Sequence, residues 1–107
     1  MKQLTKNLLA MCLHGVDIAD VEKVEFAFSQ HMHSSPLKLA EFPGENTFDL
    51  GNNTIGVVWT QEDTLLFKAG RDFYADTRIT LVGSEYQPQT PIVKLHMEPT
   101  LFEMAVI

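Results

Sequence analysis

The sequence predicts an all-β protein: an Ig-like antiparallel β-sandwich with Greek-key connections and one short corner helix near residues 60–67. Three observations support this fold class. Apolar and polar residues alternate along several short runs, as they do in half-buried strands. About six to eight such runs follow one another at spacings of about 8–15 residues, with turn-forming residues between them. Only one stretch carries a helix-start signal.

The bulk properties indicate a single globular domain spanning residues 1–107. The formal net charge is −6 and the eight Lys and Arg residues are scattered, which argues against nucleic acid as a partner. No run approaches the ~20 apolar residues of a membrane span, so no membrane partner is expected. The only cysteine, Cys12, rules out an internal disulfide and favours a reducing compartment.

The first half of the chain contains four predicted strands. The apolar run Leu8–Leu13 is too short for the apolar core of a secretion signal, and we interpret it as a first strand with Cys12 buried. In Lys23–Gln30, Val24, Phe26 and Phe28 share one face. A strand over Leu37–Phe42 alternates through Leu37, Leu39 and Glu41, and Asn46–Leu50 forms a shorter one.

The second half predicts a hairpin, a helical corner and two more strands. Gly51-Asn52-Asn53 is a tight-turn signal, because Gly and Asn tolerate positive φ. The next strand, Thr54–Trp59, contains Gly56, which suggests a bulge or a close backbone approach. Two further strands are Asp72–Val82 and Ile92–Met97. Their expected core-facing residues are Phe73, Ala75, Thr77, Ile79, Leu81, Val93, Leu95 and Met97.

The corner helix is predicted from its caps. Thr60 can accept hydrogen bonds from the first helical amides, and Glu62 and Asp63 lie at the positive end of the helix dipole. Thr64–Phe67 forms the helical turn, and Gly70 is a suitable left-handed C-cap.

No group of residues predicts catalysis, a cofactor or a metal ion. His31-Met32-His33 has alternate histidines but lacks further ligands, so solvated loop histidines are the better interpretation. Cys12 and His14 could form a thiol–imidazole pair, but no third group is identifiable to orient it. Glu62 and Asp63 are explained by helix capping. We therefore expect a protein that is not an enzyme.

The C-terminal run Leu101–Ile107 is the strongest functional signal in the sequence, because it is apolar to its last residue. Either it adds a strand to this domain or it pairs with the sheet of a neighbouring subunit. We treat it as a candidate assembly interface made of Leu101, Phe102, Met104, Val106 and Ile107.

The segment Val57–Gly70, with Thr60-Gln61-Glu62-Asp63-Thr64-Leu65 at its centre, resembles a motif of small, uncharacterised phage and prophage proteins of Firmicutes from the tail and baseplate region. Val21–Gln30 is similar to their second strand, and Ala105-Val106-Ile107 to their apolar C-terminus. The chain departs from the pattern over His31–Asn53 and at Glu103-Met104-Ala105. The resemblance implies a β-sandwich structural protein of a virion and carries over no site residue.

Two functions are therefore expected, in order. The first is a structural component of a phage tail, neck or baseplate, assembled in the host cytoplasm. Its partners would be other phage structural proteins and copies of itself in a symmetric ring. The second is a carbohydrate- or peptide-binding module, which requires two or more exposed aromatic side chains on one face. A small enzyme ranks last, although a fold class alone does not determine function.

Overall fold

The computed structural model describes residues 1–2, 5–32, 34–83 and 90–98. Within these ranges the chain forms two antiparallel sheets, a 3₁₀ turn (Ile18–Asp20) and a short helix α1 (Gln61–Leu65). The strands are β1 (Asn7–Cys12), β2 (Val21–Ser29), β3 (Lys38–Phe42), β4 (Thr47–Gly51), β5 (Thr54–Trp59), β6 (Arg71–Leu81) and β7 (Val93–Met97). The predicted all-β sandwich with one corner helix is confirmed.

The strand order is β1-β5-β4 in the smaller sheet and β3-β2-β6-β7 in the larger one. Three hairpins, β2–β3, β4–β5 and β6–β7, supply six of these strands. The chain passes from one sheet to the other before β2, β4 and β6, where the prediction assumed one crossing connection. Immunoglobulin domains place their second strand beside the first and fifth. Here β2 lies between β3 and β6, so the Ig-like order is not confirmed.

The core lies between the sheets and centres on Trp59 of β5, which is fully buried. Its ring packs edge-on against Phe28, at 4.9 Å between centroids, and at a tilt against Phe67 and Phe73. These three partners come from β2, the segment after α1, and β6. Aromatic contacts of this geometry add to the stabilisation from buried area, so Trp59 joins both sheets and the corner.

Alternation predicted the buried faces of β2, β5 and β6. Val24, Phe26 and Phe28 are buried, as are Ile55, Val57 and Trp59 on the opposing sheet. In β6, Phe73, Ala75 and Ile79 are buried, while Thr77 and Leu81 are half-buried. In β7, Leu95 and Met97 face the core as predicted, but Val93 is 39% exposed. Val93 begins the strand, where the sheet offers less cover.

The predicted burial of Cys12 is wrong. β1 places Leu9 and Met11 on the inner side and Leu13 in the core just after the strand, so period-two alternation turns Cys12 outward. The Leu13 amide also donates to the Asn53 carbonyl at 2.7 Å, which fixes this end of β1.

β3 shows a buried residue that alternation did not identify. Its register pairs Lys38 with Phe28 and Leu39 with Ala27. Directly opposed residues share a face, so the inward face of β2 draws Lys38 into the core. Leu39 is 70% exposed as a result.

Helix α1 begins as predicted and ends earlier. The Thr60 hydroxyl accepts from the Asp63 amide at 3.1 Å, and the Asp63 carboxylate accepts from the Thr60 amide at 2.9 Å. This reciprocal pair is a capping box. The prediction of Gly70 as the C-cap is wrong, because Leu66 occupies that position. Gly70, at φ +71°, instead donates its amide to the Met97 carbonyl at 2.7 Å and leads into β6.

Candidate functional site: the outer face of the small sheet

Among the described residues, the chemistry-bearing candidates from the sequence do not form a reactive group. His31 lies in the turn after β2 and is exposed, and His33 falls outside the described residues. Within the described ranges, no cluster of three or more His, Cys, Asp or Glu side chains could hold a metal ion. Cys12 and His14 are both exposed, and the weak contact of the Cys12 thiol is with the Leu13 carbonyl at 4.0 Å.

The Glu62–Asp63 pair is structural. Glu62 is exposed, whereas the Asp63 carboxylate caps the helix and accepts from the Lys38 ammonium at 2.9 Å. Burial acts to raise the pKa of Asp63, but the Thr60 amide and the Lys38 ammonium outweigh it and hold that pKa below its ordinary value. The Asp63 carboxylate is therefore committed to the fold.

Lys38 is a buried charge that the sequence did not predict. Its side chain is 7% exposed, and its ammonium lies 5.4 Å from the centre of the Trp59 ring. The carboxylate and the ring face are the environment that a buried ammonium requires. The fold thus uses Lys38 to join β3, β5 and the helix cap.

A second polar region lies at one end of the larger sheet. His96 Nδ1 lies 3.0 Å from an Asp72 carboxylate oxygen, and the Lys94 ammonium lies 3.9 Å from the other oxygen. Gln30 lies beside this polar region. Its side chain donates a hydrogen bond to the Asp72 carbonyl and accepts one from the Lys68 amide, each at 2.7 Å. About half of the His96 side chain is exposed, and an exposed ion pair such as Lys94–Asp72 contributes little to stability.

The outer face of the small sheet is different in kind, because it is apolar and uncharged. We call it the small-sheet face. It is formed by the outward residues of β1, β5 and β4, which are Leu8, Ala10, Cys12, Thr54, Gly56, Val58, Phe48 and Leu50. Leu8, Phe48 and Leu50 are 53%, 51% and 46% exposed. The first charged residue along this side is Lys6, which precedes β1.

The register explains how distant residues meet on this face. Leu8 pairs with Val58, Ala10 with Gly56 and Cys12 with Thr54. On the other side of β5, Phe48 pairs with Gly56. Because residues opposite each other in an antiparallel pair point to the same side, these side chains form rows across the sheet.

Gly56 lets two of these side chains close over the middle strand. A Cβ atom at this position would lie 2.9 Å from Leu8 Cδ1 and 3.1 Å from Leu50 Cδ1. The sequence predicts a bulge or a close backbone approach at Gly56; the strand is regularly paired there, and the groups that approach it are two leucine tips. With no side chain between them, Leu8 and Leu50 form one continuous apolar surface.

The larger sheet shows the contrast. Its outer face carries charged residues of both signs, including Glu25, Glu41, Asp72, Asp76, Arg78 and Lys94. A solvated sheet face normally has this composition. In a chain with 21% charged residues, the small-sheet face carries none, which distinguishes it from an ordinary solvent-facing surface.

The assembly residues predicted from the sequence, Leu101, Phe102, Met104, Val106 and Ile107, lie outside the described residues. The small-sheet face was missed from sequence because Leu8, Phe48 and Leu50 meet only through the strand order. Hydrophobic residues at the outward positions of three separate strands were the available signal.

Comparison with known proteins identified no relative of this chain. No family model matches the chain, no curated protein matches it, and no solved structure matches it. Among the described residues, no helix has both the length and the apolar character needed to cross a membrane.

Proposed function

We propose that this protein is a non-enzymatic assembly component that acts by protein–protein contact through the small-sheet face. The observation that carries the proposal is an uncharged sheet surface on which Leu8, Phe48 and Leu50 are about half exposed. Contiguous apolar surface costs free energy in water, and such patches mark interaction sites. A partner surface that covers these side chains would remove that cost.

The proposed setting is a bacteriophage or phage-derived particle, in its tail, neck or baseplate. Support for this comes from the resemblance of Val57–Gly70 to the phage and prophage proteins. On this proposal the chain resides in the virion and is assembled in the host cytoplasm. Its partners are other phage structural proteins and copies of itself, with neither nucleic acid nor membrane involved. The C-terminal residues 101–107 remain part of the proposed interface.

The packing of the two sheets against each other supports a structural role. Trp59 packs against aromatic rings from β2, β6 and the segment after α1, so both sheets are fixed to each other. The face is therefore presented on paired strands, with a register shift in β4 between Asp49 and Gly51, and strands position contact residues more accurately than loops do.

The carbohydrate-binding alternative is less well supported. Stacking on sugars needs paired exposed aromatics, and Phe48 is the one aromatic residue on the small-sheet face. On the other sheet, Tyr74 is half-buried. Binding on a glycan array that is abolished by Phe48→Ala would favour this alternative over assembly.

Particle incorporation tests the proposal. We expect the full chain to be detected by mass spectrometry in particles purified from the bacterium that encodes it. Phe48→Asp should remain soluble but be lost from particles, because it places a charge in the contact. Leu39→Asp is the matched control, since Leu39 is 70% exposed on the other sheet. Absence of the wild-type chain from particles, or equal incorporation of all three chains, would contradict the proposal.

A further inference from the structure

We propose that residues 101–107 of this chain pair with the free edge of β1 and close the open side of the sandwich. The inference goes beyond the proposed function, because it assigns an occupant from the same chain to a strand edge. Three features support it: the uncovered edge of β1, the apolar opening beside that edge, and the course of the chain after β7.

The outer edge of β1 has no partner strand in the part of the chain that the structure describes. The small sheet has the order β1-β5-β4, so β1 is paired on one side only. The Leu13 amide donates to the Asn53 carbonyl, and the direction of hydrogen bonding alternates along an antiparallel strand. The backbone groups of Leu8, Ala10 and Cys12 therefore point to the free edge.

Among the described edge strands, β1 lacks the features that normally prevent pairing with a further strand. Proteins protect exposed edges with charged side chains and with bulges. β3 contains Lys38 and Glu41, β7 contains Lys94, and β4 contains Asp49 next to a register shift. β1, Asn7–Cys12, has neither a charged residue nor a register shift. We therefore expect a strand to cover this edge.

The side of the sandwich between β1 and β7 is open and apolar, and we call it the β1–β7 opening. On the opposite side of the sandwich, β3 and β4 contact each other. In the β1–β7 opening, Leu9, Met11 and Leu95 are only half-buried and Val93 is 39% exposed. A largely apolar cavity of about 120 Å³ lies there, lined by the end of β1, by β6 and by the start of β7. An apolar cavity of roughly 150 Å³ binds benzene, so this one can accept an apolar side chain.

The chain leaves β7 beside the segment that leads into β1. The Glu98 amide donates to the Met1 carbonyl, and Lys2 and Glu98 form a parallel bridge. Ile107 follows Glu98 by nine residues, and Met11 follows Lys2 by the same number. A segment that continues in the parallel direction is therefore long enough to reach the last residues of β1.

The side-chain pattern of residues 101–107 fits this position. In an extended segment, Phe102, Met104 and Val106 lie on one face and Glu103 on the other. The first face packs into the β1–β7 opening, which leaves the Glu103 carboxylate in solvent. The outward side chains then lie beside those of β1 and extend the small-sheet face. Because the segment belongs to the same chain, its high effective concentration offsets the small area of the contact.

Native-state amide hydrogen exchange, followed by NMR on the full chain, tests the inference. We expect the edge-facing amides of Leu8, Ala10 and Cys12 to be protected, although no described strand lies beside them. Met104→Asp should speed their exchange by at least about tenfold, because a carboxylate in the β1–β7 opening opposes the pairing.

Two controls isolate the pairing. Ala105→Asp places the same charge on the outward side and should leave the exchange of the edge-facing amides as in wild type. The Leu9 and Met11 amides face β5, so they should stay protected in all three chains and show that the fold is intact.

Fast exchange of the edge-facing amides in the wild-type chain overturns the inference, as does protection that Met104→Asp leaves unchanged. Protection that is lost on dilution places a segment of another copy at the edge and overturns it as well. Phe48→Asp, which tests the proposed function, should leave the exchange of these amides unchanged. The inference and the proposed function can therefore fail separately.

Discussion

The buried ammonium of Lys38 is a residue-scale feature on which the stability of the fold depends. It is 7% exposed and depends on the Asp63 carboxylate at 2.9 Å and on the Trp59 ring. A buried charge that loses its partner is strongly destabilising. Asp63 also caps the helix, so one side chain couples β3 to α1.

Asp63→Asn should lower the free energy of unfolding at pH 7 by roughly 1–3 kcal/mol, less than for a fully buried pair because the Asp63 side chain is 24% exposed. The substitution leaves the Lys38 ammonium without its counter-charge. Glu62→Gln is the matched control and should change stability by less than about 0.5 kcal/mol, since Glu62 is exposed. Urea denaturation measures both. Equal stability of the two variants would contradict this role of Asp63.

The same variant should show a defined pH dependence. The pKa of Asp63 in the folded state lies below its ordinary value of 3.8. The carboxylate therefore stabilises the fold fully above that value, and its contribution is lost as the pH falls through the folded-state pKa. The stability gap between wild type and Asp63→Asn should be constant near neutral pH and narrow below about pH 4.

At the scale of elements, the β4–β5 hairpin depends on its turn residues. Asn52 and Asn53 both have positive φ, at 53° and 56°, as a tight hairpin turn requires. Asn53 also connects the turn to the chain between β1 and β2. Its side chain accepts from the Ile18 amide and donates to the Val16 carbonyl, each at 3.1 Å.

Glycine substitutions separate these two roles. Asn52→Gly should change the free energy of unfolding by less than about 0.5 kcal/mol, because glycine adopts positive φ freely. Asn53→Gly should destabilise by roughly 1–3 kcal/mol, because two hydrogen bonds are lost. Thermal unfolding of both variants distinguishes them. A similar effect of the two substitutions would show that the link to residues 16–18 contributes nothing.

The buried face of a strand was predictable where its apolar and polar residues alternate clearly. β2, β5 and β6 each place their largest apolar residues on one side, and their buried faces follow directly. The chain entering β3 reads Leu37-Lys38-Leu39, and alternation by itself favours the leucine face. The pairing of Lys38 with Phe28 reversed it, a constraint set by a neighbouring strand. β1 is apolar on both sides, so its phase, and with it the exposure of Cys12, depended on where Leu13 enters the core.

The candidate site was less predictable than the fold for a related reason. Leu8 lies far from Phe48 and Leu50 in sequence, and each of the three alone is an ordinary exposed hydrophobic residue. The order β1-β5-β4 brings them together. Strand order depends on the whole set of pairings, which local patterns do not specify.

At the scale of the whole molecule, the two sheets differ in their outer surfaces. The outer face of the larger sheet carries charged side chains of both signs. The outer face of the smaller sheet carries apolar side chains around Gly56. Because the small-sheet face is uncharged, its binding to a partner should not weaken as salt is added. An interface held by ion pairs would weaken instead.

Gradient sedimentation of the particles tests the central claim, that this protein assembles through its small-sheet face. We predict that the wild-type chain sediments with the particles. The Phe48→Asp variant should stay at the top of the gradient, and the Leu39→Asp control should behave as wild type. A wild-type chain that stays at the top, or a Phe48→Asp variant that sediments equally with the particles, would contradict the account.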